Sequence, residues 1–171
     1  MLLSILILLI LILVIPTAYA AIIGAPPAPT DRTRIEKIVR VADIKPNQKF
    51  YELGSGTGRV MVLIAKMSRA EVIGFELSPV FYLISLLNLK IHRVKKYKLY
   101  LKNFFNANLK EADIVFCFLM PNAIEKLKEK LKRELKAETK VISYVFEIKG
   151  WTPCAIIKDN KKLPVYIYQM S

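Results

Sequence analysis

The chain has 171 residues, 54% of them hydrophobic, and 27 basic against 14 acidic residues give it a net charge of +13. That length allows a single globular domain, and two cysteines without CxxC spacing exclude a disulfide framework and a cysteine-based metal site and suit a reducing compartment. A charge of this sign leaves three partners: anionic lipid, nucleic acid, or an acidic protein surface.

The first 30 residues carry no charge. Leu2 to Ile23 read as a helix would extend roughly 33 Å, against a hydrocarbon core about 30 Å thick. Residues 1–24 are therefore expected to be an uncleaved transmembrane anchor. Ala18-Tyr19-Ala20 offers a signal-peptide cleavage site as the alternative, but the basic n-region is missing. Arg32, Arg34, Lys37 and Arg40 follow Asp31, and positive flanks stay on the cytoplasmic side. A single-pass membrane protein with its globular domain in the cytoplasm is the resulting expectation. Residues 25–30, with three prolines, read as a stiff linker, and 31–171 as the globular domain.

From there helix and strand alternate. Asp31 to Val41 reads as a helix with Thr30 as its cap, Lys49 to Leu53 as a strand, Arg59 to Met67 as a helix, and Glu71 to Glu76 as the second strand. Ser78-Pro79 starts a helix that runs to about Val94. Lys98 to Leu101 is a short strand. Ile114 to Leu119 is apolar throughout, as in a strand buried on both faces. Pro121 opens a Lys-rich helix to about Lys136, in which Ile124, Leu127, Leu131 and Leu135 form one apolar stripe. Lys140 to Phe146 is a further strand, and Ala155 to Ile157 with Val165 to Tyr168 suggest a closing hairpin. Such alternation calls for a parallel sheet with helices on both faces. Of two basic runs, Lys126 to Lys140 is the solvated face of a helix. The other, Lys90 to Lys102, has Tyr97 and Tyr100 interleaved, and anionic lipid is preferred there over nucleic acid. His92 has no second ligand near it, so no metal site is expected.

Tyr51-Glu52-Leu53-Gly54-Ser55-Gly56-Thr57-Gly58 joins the first strand to a glycine bend that opens a helix. Glycines there accept positive φ and let a ligand approach bare backbone. Glu76 closes the next strand, at the spacing that sets a carboxylate against ribose hydroxyls. A dinucleotide fingerprint would need a glycine where Arg59 stands. The G-x-G-x-G run, with Glu52 two residues ahead of it, instead resembles motif I of class I S-adenosylmethionine-dependent methyltransferases. Ligands in such sheets lie beyond the carboxyl ends of the strands. That gathers the bend, Glu76, Asn103 with Phe104, Leu119 to Pro121, and Tyr144 to Glu147 around one crevice.

A closer resemblance rests on Ala28-Pro29-Thr30, the Tyr51 to Arg59 run, Gly74-Phe75-Glu76, Asn103-Phe104-Phe105, Leu119-Met120-Pro121 and above all Phe146-Glu147-Ile148-Lys149-Gly150-Trp151-Thr152-Pro153. Over about residues 28 to 158 the chain is similar to a family of small protein-lysine methyltransferases. These are archaeal broad-specificity enzymes and the mitochondrial enzymes acting on ATP synthase c subunit and adenine nucleotide translocase. The resemblance implies a Rossmann-like class I methyltransferase sheet, mostly parallel with helices on both faces, here preceded by the expected transmembrane helix. The implied cofactor is S-adenosyl-L-methionine. Glu52 would hold its methionine amino group, and Gly54, Ser55, Gly56, Thr57 and Gly58 would lie along it. Glu76 would bind its ribose, Asn103 and Phe104 would border the adenine, and Thr30 and Leu119 would complete the site. Thr57 stands where the family usually has Asp, Tyr144 where many members have His, and Glu52 where Asp is usual.

A lysine acceptor must lose its proton before it can be methylated, and desolvation lowers its pKa. An apolar channel walled by Tyr144, Phe146 and Trp151 is therefore expected, with Glu147 orienting the ammonium or accepting its proton. The implied partner is a protein lysine, in a membrane-associated protein if the anchor is real. The alternatives are a class I methyltransferase acting on RNA or a small molecule, and a degenerate binding module.

Overall fold

A computed structural model describes residues 2–23, 30–159 and 162–171. The order of elements is α1 (Leu2–Ile23), α2 (Arg32–Val41), β1 (Lys49–Leu53), α3 (Arg59–Ser68), β2 (Glu71–Glu76), α4 (Pro79–Ile91), β3 (Tyr97–Leu101), a 3-10 turn (Phe104–Asn106), β4 (Ile114–Cys117), α5 (Pro121–Glu134), β5 (Lys140–Tyr144), β6 (Ala155–Asp159) and β7 (Lys162–Gln169). One seven-stranded sheet runs β3-β2-β1-β4-β5-β7-β6. The first five strands are parallel, and β7 and β6 add antiparallel to the edge at β5. Strand order reverses between β1 and β4, which places a crevice at their carboxyl ends.

Alternation along the strands divides the core in two. Phe50, Val72, Phe116 and Ile142 face α2 and α3 and pack with Ile35, Ile38, Met61 and Ile64. Leu53, Val115, Cys117 and Val141 face α5 and meet its Ile124, Leu127 and Leu131. Both clusters are almost wholly removed from water, and each buried side chain of this size stabilises by about 1.5–3 kcal/mol.

Helix starts follow their caps. Asp31, not Thr30, caps α2, and its carboxylate accepts from Thr33 N at 2.8 Å. Ser78 caps α4 ahead of Pro79, accepting from Phe81 N. Four elements end sooner than the sequence suggests: β4 stops at Cys117 and α5 at Glu134, each two residues early, and α4 and β5 also fall short. In α4 the chain leaves the helix at His92, and Arg93 takes a φ of 52°. In β5 Val145 turns to a φ of 77° and ends the strand two residues early.

The transmembrane anchor is overturned. Leu2–Ile23 does form one helix, α1, with Pro16 inside it, but no helix among the described residues is long and apolar enough to cross a membrane. Pro16 removes a backbone hydrogen bond from the middle of the helix. Thr17 is turned to the domain, its Oγ1 2.7 Å from Ser78 Oγ at the start of α4. The single-pass placement with a cytoplasm-facing domain falls with the anchor, and anionic lipid loses the feature that brought it near. Of the Pro-rich linker expected at 25–30, only Thr30 lies among the described residues.

Candidate active site

The glycine bend leaves β1 at its carboxyl end, where β1, β2 and β4 finish side by side. Gly54 N and Ser55 N both donate to Phe75 O at 3.0 Å, and Gly58 N closes the turn onto Ser55 O at 2.8 Å. A side chain at Gly56, whose φ is 52°, would meet nothing within 4 Å, so the bend is open on that side. At Gly58 the reason for glycine differs. Its φ is 73°, and a Cβ would overlap Ser85 Oγ and sit 3.1 Å from Ser85 Cα. The third glycine thus lets α3 start hard against α4.

Two carboxylates flank the bend. Glu76 is anchored on both oxygens: Oε2 accepts from Gly56 N at 2.7 Å, and Oε1 from Leu77 N and Ser78 N at 2.9 and 2.8 Å. Burial pushes its pKa up, and those backbone donors oppose the shift. Glu52 is 4% exposed. Its pKa is driven well above the usual carboxylate range by burial, against a hydrogen bond from the Met61 backbone and with the Glu76 charge adding to the rise. Glu52 Oε2 and Ser55 Oγ are buried without a hydrogen-bond partner. A buried acceptor left unmatched is costly, and a cationic donor would satisfy it.

Other elements brace the same place. Arg59 Nε donates to Thr30 O at 3.1 Å, drawing the segment before α2 over the bend. Asn88 Nδ2 donates to Thr57 O at 2.8 Å. Leu119, beyond β4, approaches within 3.9 Å of the point where a Gly54 Cβ would lie. Asn103 spends its side-chain oxygen on Phe105 N at 3.0 Å, so it caps the 3-10 turn that presents buried Phe104. Neither Arg59 nor Asn88 was singled out from sequence. Asn88 had a signal, since Ser85 and Asn88 are small uncharged polar residues three apart inside a largely apolar helix.

On the acceptor side the expected residues separate. Tyr144 is buried on the α2 face, its ring edge-on to Phe118 at 4.8 Å. Burial raises its pKa, Arg34 opposes this, and the Asp31 backbone hydrogen-bonds its hydroxyl. Trp151 packs edge-on to Tyr168 at 5.7 Å in the core on the α5 face. Tyr168 Oη accepts from Ile148 N at 2.8 Å and fixes the intervening loop. Glu147 is exposed and Phe146 half-buried. Phe118, which sequence reasoning passed over as strand core, is the aromatic that accompanies Tyr144. Among the described residues no group of His, Cys, Asp and Glu forms a metal site.

Residues 52–155 match the ANTKMT methyltransferase domain. The chain is 34% identical over 148 residues to a protein-lysine N-methyltransferase from Saccharolobus islandicus, covering 84% of this chain and 92% of that one. It is 27% identical over 130 residues to the mouse adenine nucleotide translocase lysine N-methyltransferase, covering 74% of this chain and 56% of that protein. Among solved structures, an RNA methyltransferase from Salinibacter ruber in complex with S-adenosyl-L-homocysteine aligns with a TM-score of 0.80 and 26% identity, over 84% of this chain and 94% of that one. An O-methyltransferase from Thermotoga maritima, 10% identical with a TM-score of 0.72 over 85% of this chain and 67% of that one, shares the fold.

The fold, together with these matches, defines a class I methyltransferase that uses S-adenosyl-L-methionine. Within that class, the chain belongs to the ANTKMT methyltransferase domain family.

Proposed function

We propose that this methyltransferase acts on lysine side chains of proteins, with 31–171 as the catalytic unit and Thr30 at its edge. The observation that carries this is the similarity to the Saccharolobus protein-lysine N-methyltransferase along nearly the whole of both chains. In this reading the bare bend from Gly54 to Gly58 lies along the cofactor. Glu52 supplies the missing partner for its amino group, Glu76 meets the ribose hydroxyls, and Phe104, Asn103 and Leu119 border the adenine. When bound, the cofactor supplies an electrophilic methyl on a sulfonium.

The chain's own residues then have to present a neutral amine. A lysine pKa of about 10.4 lies more than three units above neutrality, so deprotonation costs about 4–5 kcal/mol at pH 7. Burial against Phe118 and Tyr144 offsets part of that cost by disfavouring the charged form. Tyr144, kept neutral by burial, shapes the channel and takes no proton. Glu147, exposed at its mouth, meets the incoming ammonium, and Trp151 braces the loop that carries Glu147 by packing on Tyr168. Holding amine and methyl in line at near contact supplies several kcal/mol more.

Methylation of RNA is the second reading, drawn from the likeness to the Salinibacter enzyme. One experiment separates the two. The purified chain is incubated with methyl-labelled cofactor, a cell protein extract and total RNA, and the products are located by mass spectrometry. Label on lysine side chains supports the proposal; label confined to RNA replaces it with the second reading.

A further inference from the structure

The basic run with interleaved tyrosines, Lys90 to Lys102, plays no part in the methyl-transfer site. Within it β3 alternates, so Lys98, Tyr100 and Lys102 emerge on one face of the sheet. That face is the one α5 covers, where its Ile124, Leu127 and Leu131 join the cluster of Leu53, Val115, Cys117 and Val141. Beyond it the connection from β3 to β4, which holds just a three-residue 3-10 turn, adds Phe104, Ala107, Leu109 and Ala112 to the cluster. A groove of about 340 Å³ results, lined by Tyr51, Phe75 and Tyr100 beneath and by lysines and carboxylates at the rim. Glu52 points to the opposite face of β1, so the sheet itself separates the groove from the bend.

Three features of the groove specify a ligand. Its floor is a ladder of rings, Tyr51 to Phe75 at 5.9 Å and Phe75 to Tyr100 at 5.5 Å, the latter pair stacked within 16°. Tyr100 ends the ladder 44% exposed, which offers a planar group a stacking surface. The rim carboxylates are already matched, Glu71 with Lys98 at 3.1 Å and Glu111 with Lys49 at 2.5 Å. They therefore remain acceptors for N–H groups without repelling an anion strongly. Lys102 pairs with no carboxylate among the described residues and is placed to hold an anionic oxygen. The volume is at the lower end of the range for small-molecule pockets, too small for more than one nucleotide unit.

We propose that this groove is a second ligand site, for a single nucleoside monophosphate unit. The base stacks on Tyr100, its exocyclic amine turns to the rim carboxylates, and the phosphate lies at Lys102. The unit is either a free nucleotide or the phosphorylated end of an RNA strand. The test is calorimetric titration of the full chain, saturated with S-adenosyl-L-homocysteine, with 5′-AMP and separately with a 5′-phosphorylated hexanucleotide. AMP is expected to bind without displacing the homocysteine compound. Tyr100→Leu and Lys102→Ala should each weaken it roughly tenfold, the loss of one stacking or charged contact, with cofactor-product affinity unchanged. Binding of the hexanucleotide at least as tight as AMP assigns the strand end as the source, and binding of AMP alone assigns the free nucleotide. The proposal is overturned if AMP gives no heat at millimolar concentration, if it competes with the homocysteine compound, if Tyr100→Leu leaves it unaffected, or if inorganic phosphate binds as well.

Discussion

Glu52 is a buried carboxyl group with one oxygen, Oε2, left without a hydrogen-bond partner inside the protein. Its raised pKa makes it a liability to the bare fold and, in the proposed site, an asset to cofactor binding, and the two signs separate with pH. A carboxyl whose folded-state pKa is raised contributes stability below its unfolded pKa, and that contribution is lost as pH rises through the folded value. The cofactor-free chain should therefore lose stability as pH rises through the Glu52 titration, while affinity for the cationic amino group should grow over the same window. Glu52→Gln should flatten both profiles. At neutral pH it should raise the melting temperature and weaken S-adenosylmethionine by roughly tenfold to a hundredfold, the worth of a charged hydrogen bond. Thermal scans and titrations between pH 5 and about 9 check it. At Gly58 the constraint is steric. Gly58→Ala combines a positive φ with overlap on Ser85, and a loss of about 2 kcal/mol or more in chemical denaturation is expected.

At the scale of elements, periodicity and caps carried most of the fold. β1 and β2 match their expected bounds, because β1 is stopped by Gly54 and β2 ends just ahead of the Ser78 cap. The ends of α4 and β5 were not legible. A left-handed Arg93 ends α4 in a local cap, with Val94 N donating to Leu89 O at 3.0 Å, whereas a left-handed Val145 is set by a tertiary contact, Val145 N donating to Pro164 O at 2.8 Å. A β-branched residue seldom takes that conformation, so no propensity announces it. The candidate site was legible in the same uneven way. Glycines and strand-end carboxylates mark themselves by type and spacing. Pairing Phe118 with Tyr144 and separating Trp151 from both depends on which sheet face each reaches after the strand has ended. β4 offers a further check on packing. Cys117 is fully buried, and burial lifts its pKa to about 12, against a hydrogen bond from Ser143, whereas Cys154 is exposed. Native protein should take up one equivalent of a thiol reagent, at Cys154, and a second after denaturation, as read by intact-mass spectrometry.

For the whole molecule, a charge-free amino terminus read in isolation suggested an anchor, since hydropathy counts length and ignores what a helix touches. In the structure α1 carries Pro16 and reaches the domain through Thr17 and Ser78, one residue beyond Leu77, whose amide holds Glu76. The remainder is a sheet whose two faces serve different ends. One is packed by α2, α3 and α4 beneath the bend; the other is packed by α5 and the β3–β4 connection and carries the groove. Everything assigned to the methyl-transfer site depends on the bend and Glu76 holding the cofactor together. The most direct measurement is calorimetric titration of S-adenosyl-L-homocysteine into the wild-type chain and into Glu76→Ala. One-to-one binding that weakens by roughly tenfold or more in the variant is predicted, since two ribose hydroxyls lose a charged acceptor. Binding of equal strength to both proteins would contradict the account.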